Sequence, residues 1–393
     1  LANEGFPVSP IIARDWAAAV DGLRSNSCAA ATFLVDGEAP RAGQWFRNPD
    51  LAGTFKRVAE NGVETLYGGG LGEQIVAGLD ELGGFLTVED LRSHRYRWVE
   101  PLSMEYKGYT LHELPPAGQG IAALQMLKML EGHDLQAMGH NSVHYLHTLI
   151  ELKKLAFADR ARWVADPEFA DLPVTELLDA EYLRERALKV GTQAAEDVPP
   201  GIDGSVSTDA QQGDADDSGD TVYITAVDQW GNAVSWIQSL YAGFGSGLLE
   251  PQTGVVLQNR GGSFTLDPNH PNVVAPGKRP YHTLTPLMAL RGDDFAFTMG
   301  TPGGDSQTQT RLQIVHNMVL FGMTPQQAIE APRFRSQGGL SVAIADRVAL
   351  CVRATLTARG PRPRPLDGCT ATFRRAPTTL AAPNPPPPAR PPP

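Results

Sequence analysis

The sequence predicts an α+β layered fold, and three observations predict it. Apolar residues recur at helical spacing through roughly the first 190 positions; residues 191–220 are small, polar and acidic; from Thr221 the apolar period becomes two. With 393 residues and 42% hydrophobic content, the chain can bury a sizeable core as one large domain or two ordinary ones. The 33 Lys and Arg against 44 Asp and Glu leave a formal net charge of -11, which argues against a nucleic-acid partner. No run of about 18 apolar residues reads as a membrane span, so no membrane partner is expected.

The opening stretch, LANEGFPVSPIIARDWAAAV, reads as a helix already running at Leu1. On that reading a segment precedes it and a signal peptide could have gone with it. The compartment would then be periplasmic or extracellular, and otherwise cytoplasmic. VETLYGGGLGEQIVAGLDELGG has helical spacing and a stop at Gly83-Gly84, and TVED from Thr87 is a capping pattern for a short helix. Strands are expected at 101–106 and 109–114 around a turn at Lys107-Gly108. PPAGQG, residues 115–120, is a loop leading into an amphipathic helix, IAALQMLKMLEG; a long helix over 142–163 and a third near 173–190 follow.

GTQAAEDVPPGIDGSVSTDAQQGDADDSGD, residues 191–220, has almost no apolar anchor and reads as a flexible surface linker. TVYITAVD and AVSWIQSL alternate around Trp230-Gly231-Asn232 and make a β-hairpin. PLMALRGDDFAFTMG makes a second strand pair turning at Gly292-Asp293, and TPGGDSQ leads into a helix over 308–320. After Val348 the sequence becomes rich in Pro, Arg, Ala and Thr. Residues 349–393 are therefore expected to be a disordered tail, either a basic Pro-rich ligand segment or an out-of-frame translation.

Cys28, Cys351 and Cys369 are odd in number and widely spaced, which suits neither a disulfide framework nor a zinc site. His140, His144 and His147 have partly helical spacing without an acidic ligand set, so no metal is expected, and no cofactor either. The chemistry lies where the acidic linker meets the strand at Thr221. A Thr hydroxyl is a poor nucleophile until a base lies beside it, and an N-terminal Thr carries its own base. An α-amino pKa of about 7.7–8.0 suits proton transfer near neutrality. The chain must then be cut between Asp220 and Thr221, which an exposed linker would permit. Taken alone, the residues equally allow a β-prone Thr that merely opens a strand.

The run Asp220-Thr221-Val222-Tyr223-Ile224-Thr225-Ala226-Val227-Asp228, then Gly231-Asn232-Ala233-Val234-Ser235, resembles the small-subunit start of γ-glutamyltranspeptidases. So do Phe244-Gly245-Ser246-Gly247, Pro276-Gly277-Lys278-Arg279-Pro280 and Thr301-Pro302-Gly303-Gly304, in the family's order and spacing. Residues 1–7, Gly83-Gly84-Phe85-Leu86-Thr87, Tyr106-Lys107-Gly108-Tyr109, Pro115-Pro116 and Ala156-Phe157-Ala158-Asp159-Arg160 resemble large-subunit landmarks. The resemblance covers about residues 1–340 and implies a four-layer αββα sandwich of the N-terminal-nucleophile type with antiparallel central sheets. Residues 1–220 would be the large-subunit portion, incomplete at its N-terminus, and 221–348 the small-subunit portion.

The resemblance also implies roles. Thr221 matches the autoprocessing nucleophile, and Ser239 sits where the family has a Thr supporting it. Gly303 and Gly304 match the pair whose N–H groups form the oxyanion hole, a donor there being worth about 10²–10³ in rate. Read without the resemblance, TPGGDS is also a simple helix-entry turn. The implied substrate is a small γ-glutamyl or related acyl amide, and the two cleaved fragments would associate as a heterodimer.

At the substrate-binding positions the sequence departs from the family. Tyr241 stands for an Asn, Arg260 for a Gln and Ser263 for the Asp that pairs with the α-ammonium, while His282-Thr283 replaces a Ser-Ser pair. An Arg would repel an α-ammonium and suit an acyl group ending in a bare carboxylate, such as glutaryl. These variants resemble the family's divergent branch of cephalosporin- and glutaryl-acylase-like members. Arg260 in a structural ion pair is the competing reading, and His282 reads as lining the pocket rather than as a base. A non-catalytic scaffold is the reading from another class; self-cleavage separates it from the enzymes.

Overall fold

A computed structural model of the chain describes residues 1–202, 220–366 and 378–380. Most of the 191–220 linker expectation, residues 203–219, lies outside the described residues, as do 367–377 and 381–393 of the expected tail. Packing divides the chain into two units, Leu1–Trp98 with Leu240–Arg260, and Val99–Ser239 with Gly261–Pro393. These clusters cut across the expected division at 220/221, which concerns a bond to be broken rather than a packing boundary.

In the first unit the expected running helix at Leu1 does not form. Pro7 and Pro10 break it: Phe6–Pro7 pairs antiparallel with Trp45–Phe46, and the helix Pro10–Ala18 begins behind Ser9, whose Oγ accepts the Ile12 N–H. Proline is tolerated at that first helical turn because its missing N–H has no partner to lose. The core gathers Val8, Trp16, Leu23, Phe33 and Leu249, with Trp16 4.8 Å from Phe46 and 5.4 Å from Phe244 between ring centres. The helix Gly70–Asp80 stops just before Gly83, which takes φ 75°, and Thr87 and Asp90 form the capping box of Val88–Ser93.

In the second unit the hairpin Leu102–Tyr106/Tyr109–Glu113 turns at Lys107 (φ 51°) and Gly108 (φ 80°), as the sequence expects. Leu287–Arg291 joins it antiparallel, then Asp294–Met299, then Thr378–Leu380, giving a five-stranded antiparallel sheet. Leu111, Leu287, Ala289, Phe297 and Met299 share a buried core with residues of three helices, Gly120–Leu130, Val143–Trp163 and Ser306–Val319.

Three expectations need correction here. Gly120–Leu130 is buried at every position except Lys128, not amphipathic; its polar Gln125 is satisfied by the Leu177 carbonyl at 3.0 Å. The tail expected from 349 is regular over its described part. Leu350–Ala358 is a helix with Leu356 fully buried, and Arg362–Leu366 pairs parallel with Ser341–Ala345. Its prolines are compatible with that role because the strand is at the sheet's edge. The third expected helix, near 173–190, is two short ones, Val174–Leu177 and Ala180–Ala187.

Candidate active site

Thr221 lies in the strand Asp220–Val227, which pairs with Ala233–Tyr241 as a separate two-stranded sheet. Asp228 closes the hairpin by accepting the N–H groups of Trp230 and Asn232, each at 2.9 Å. The pairing sets Thr221 beside Ser239: the Thr221 hydroxyl is buried and donates to Ser239 Oγ at 2.9 Å. Two residues along, the buried Tyr223 hydroxyl lies 2.9 Å from Ser235 Oγ and 2.8 Å from Thr298 Oγ1. The Tyr223 ring also covers Gly300 so closely that a β-carbon there would sit 2.1 Å from it. Gly300 thus admits the hairpin to the start of the loop carrying Gly303 and Gly304.

That loop is conformationally demanding. Gly303 takes φ 121° and Gly304 φ 51°, both in the region that favours glycine. The Gly303 carbonyl accepts Ser306 N–H at 2.9 Å and Ser306 Oγ at 2.7 Å, and Gly304 accepts Gln307 N–H at 3.2 Å. With the carbonyls turned into the helix, neither glycine N–H has an acceptor among the described residues. Two adjacent free donors are what a developing oxyanion requires.

A buried network fixes this loop from behind. Gln119 Nε2 donates to the carbonyls of Gly304 at 3.0 Å and Thr283 at 2.9 Å, while its Oε1 accepts Arg160 at 2.8 Å and the Tyr281 hydroxyl at 3.2 Å. Arg160 pairs with Asp305 at 2.9 Å, and the Tyr281 hydroxyl reaches the same carboxylate at 3.0 Å. One amide side chain therefore ties together the loop, the strand-like segment at 281–283 and the long helix.

The remaining site candidates fall in different surroundings. His282 is half-buried, donates its N–H to the Ala117 carbonyl at 3.0 Å and places its ring against Gly118; Thr283 is buried. Ser263 is buried and its Oγ has no partner among the described residues, while its carbonyl accepts Asn272 Nδ2 at 2.7 Å. Tyr241 and Arg260 belong to the first unit, where the Arg260 guanidinium lies 4.4 Å from the Tyr241 ring centre and Tyr241 holds φ 81°. Of the three histidines, His147 Nε2 meets the Gly191 carbonyl at 2.8 Å and His140 packs on Phe321.

The gamma-glutamyltranspeptidase family model matches residues 1–371. The chain belongs to the γ-glutamyltranspeptidase family. It is 39% identical to the glutathione hydrolase-like YwrD proenzyme of Bacillus subtilis over 335 residues, covering 85% of this chain and 61% of that one. It is 37% identical to the oxamate amidohydrolase proenzyme of Klebsiella pneumoniae over 339 residues, covering 85% and 60%. The crystal structure of a cephalosporin acylase from Bacillus halodurans superimposes with a TM-score of 0.87 at 37% identity, covering 97% of this chain and 68% of that one. The chain spans about three fifths of the length of the curated relatives it matches. Its fold is the α+β sandwich of N-terminal-nucleophile hydrolases.

Within this γ-glutamyltranspeptidase-family chain, sequence reasoning passed over Gln119, Tyr281 and Asp305 and treated Arg160 only as a landmark. A signal existed for one of them: Gln119 is the polar residue of a Gly/Pro loop.

Proposed function

We propose that the chain is an autoprocessing threonine amidohydrolase or acyltransferase acting through an acyl-Thr221 intermediate. The observation that supports it most is the buried Thr221 hydroxyl bonded to Ser239 on the hairpin that reaches the Gly303-Gly304 loop. Thr221 Oγ attacks the Asp220 carbonyl carbon, the peptide C–N bond breaks, and the acyl chain passes to oxygen. Breaking that C–N bond frees the Thr221 α-amino group, which takes up the hydroxyl proton; water then hydrolyses the ester, releasing the Asp220 carboxylate and restoring the Thr221 hydroxyl. In turnover, that amine takes the hydroxyl proton while Oγ attacks the substrate amide, and the Gly303 and Gly304 N–H groups receive the oxyanion. The leaving amine departs with the proton, and water or another amine then releases the acyl group from Thr221. Cleavage at 220/221 would leave the pairing of Tyr109–Glu113 with Leu287–Arg291 intact, which supports a heterodimer of the two fragments.

For the donor, Arg260 and Ser263 favour an acyl group ending in a bare carboxylate over a γ-glutamyl group with its α-ammonium. The runner-up is the γ-glutamyl donor, in keeping with the relative named as glutathione hydrolase-like. Turnover of glutaryl-p-nitroanilide against γ-glutamyl-p-nitroanilide tests the choice. The double variant Arg260→Gln/Ser263→Asp is expected to shift kcat/KM toward the γ-glutamyl donor by about tenfold or more, the scale of one charge-assisted contact. An unchanged ratio in a folded variant would remove both residues from donor selection.

Gln119 is expected to matter through the loop it holds. Gln119→Met should lower kcat by about 10–100-fold with little change in KM, because the loop's donors are misplaced only where charge develops. Equal losses in kcat and melting temperature for every substrate would mark it as a folding residue only.

A further inference from the structure

We propose that a buried cationic cleft between Lys153, Arg160 and Arg335 binds a small oxyanion, of carboxylate or phosphate type. Lys153, Phe157 and Arg160 are spaced by four and three residues along the helix Val143–Trp163 and so share one face. The Lys153 ammonium and the Arg160 guanidinium each lie 4.0 Å from the centre of the Phe157 ring. Both open onto a cavity of about 40 Å³ whose lining includes Arg335, Asp305 and Gln309. All three cations are buried, with exposures of 6% for Lys153, 3% for Arg160 and 7% for Arg335.

The neighbouring lysine shows what a satisfied buried ammonium looks like here. Lys154 bonds Glu151 at 2.7 Å and the Ala195 carbonyl at 2.6 Å, and the other Glu151 oxygen accepts the Ala195 N–H. Lys153 has no hydrogen bond or ion pair among the described residues. Asp305, the carboxylate of the lining, is engaged by Arg160 and by the Tyr281 hydroxyl. Glu196 and Asp197, which line the adjoining cleft with Lys153 and Lys154, are exposed. An ammonium confined in a largely buried cleft with three donors and no protein acceptor is penalised unless an anion meets it. Burial, aided by Arg160 and opposed by Asp305, accordingly brings Lys153 down to about 7. The cavity admits a group of a few heavy atoms.

Isothermal titration of the whole chain with inorganic phosphate, with acetate and with sulfate tests the site. A saturable, one-to-one heat with phosphate or acetate at millimolar concentrations is expected, and which of the two binds tells the tetrahedral from the planar group. Lys153→Met and Lys153→Gln should each weaken it about tenfold or more, the worth of a charge-assisted bond. Sulfate does not titrate near neutrality, so its affinity for the unaltered chain should fall as pH rises through about 7 and Lys153 gives up its proton. No saturable heat with any of the three anions, equal affinity in chain and folded variants, or a flat sulfate profile would overturn the proposal.

Discussion

Replacing Thr221 by alanine is expected to leave one uncut chain, with amide turnover at least about 10⁴-fold below that of the unaltered protein. Both losses follow from one atom, since the same hydroxyl is proposed to open its own peptide bond and then the substrate's. A denaturing gel with intact masses checks the first loss, and release of p-nitroaniline checks the second. Thr221→Ser keeps the hydroxyl and its reach to Ser239, so scission should persist at a reduced rate. Ser239→Ala removes the partner at 2.9 Å but not the nucleophile, and should slow scission without abolishing it. Two fragments from Thr221→Ala, meeting at Asp220/Thr221, would remove Thr221 from the mechanism. An uncut parent chain would leave the family and fold standing and favour the scaffold reading.

Features whose physics is local were legible in the sequence. The Thr87 capping box, the Lys107-Gly108 turn, the alternation after Thr221 and the Ser142 start of the long helix each depend on a few neighbouring residues. A helix running from Leu1 does not form, because Pro7 and Pro10 override the apolar spacing there. The helix after Gly120 is not one-faced: ten of its eleven residues are buried, and its apolar content exceeds what one face needs. For the tail, composition hid two anchors: Leu356 reaches the main core, and the Pro-containing strand 362–366 uses a sheet edge that only the tertiary fold provides.

The candidate site divides the same way. Thr221, Ser239, Gly303 and Gly304 belong to motifs and could be named in advance. Gln119, Tyr281 and Asp305 act by meeting one another, Arg160 and Gly304 across separations of 24–185 residues, and no periodicity records such a meeting. Lys153 is the clearest case. In sequence it is one of two adjacent lysines, and only the fold turns Lys154 toward Glu151 and leaves its neighbour in a cationic cavity.

The largest stability effect is expected where the helix Ser306–Val319, which follows the glycine loop, meets the central sheet. Arg311 from that helix and Glu113 from the strand Tyr109–Glu113 form an ion pair, and both residues are 1% exposed. Arg311 Nε and Nη2 and Glu113 Oε2 have no further partners among the described residues, so the two charges are incompletely satisfied. Burial raises the Glu113 carboxyl above its ordinary range, and Arg311 opposes that shift. Breaking the pair is therefore expected to be asymmetric. Glu113→Leu strands a guanidinium that cannot shed its proton and should cost about 3–5 kcal/mol in urea unfolding. Arg311→Met leaves a carboxyl that can neutralise itself, so its cost should be smaller and should grow with pH. Above the usual carboxylate pKa of about 4.3, the unfolded chain releases this proton while the folded chain keeps it, so stability falls as pH rises. The double variant Glu113→Leu/Arg311→Met removes both charges and should recover most of the loss. Additive losses in the double variant, or a greater cost for Arg311→Met than for Glu113→Leu at pH near 7, would show that the pair contributes net stability rather than compensating for its own burial.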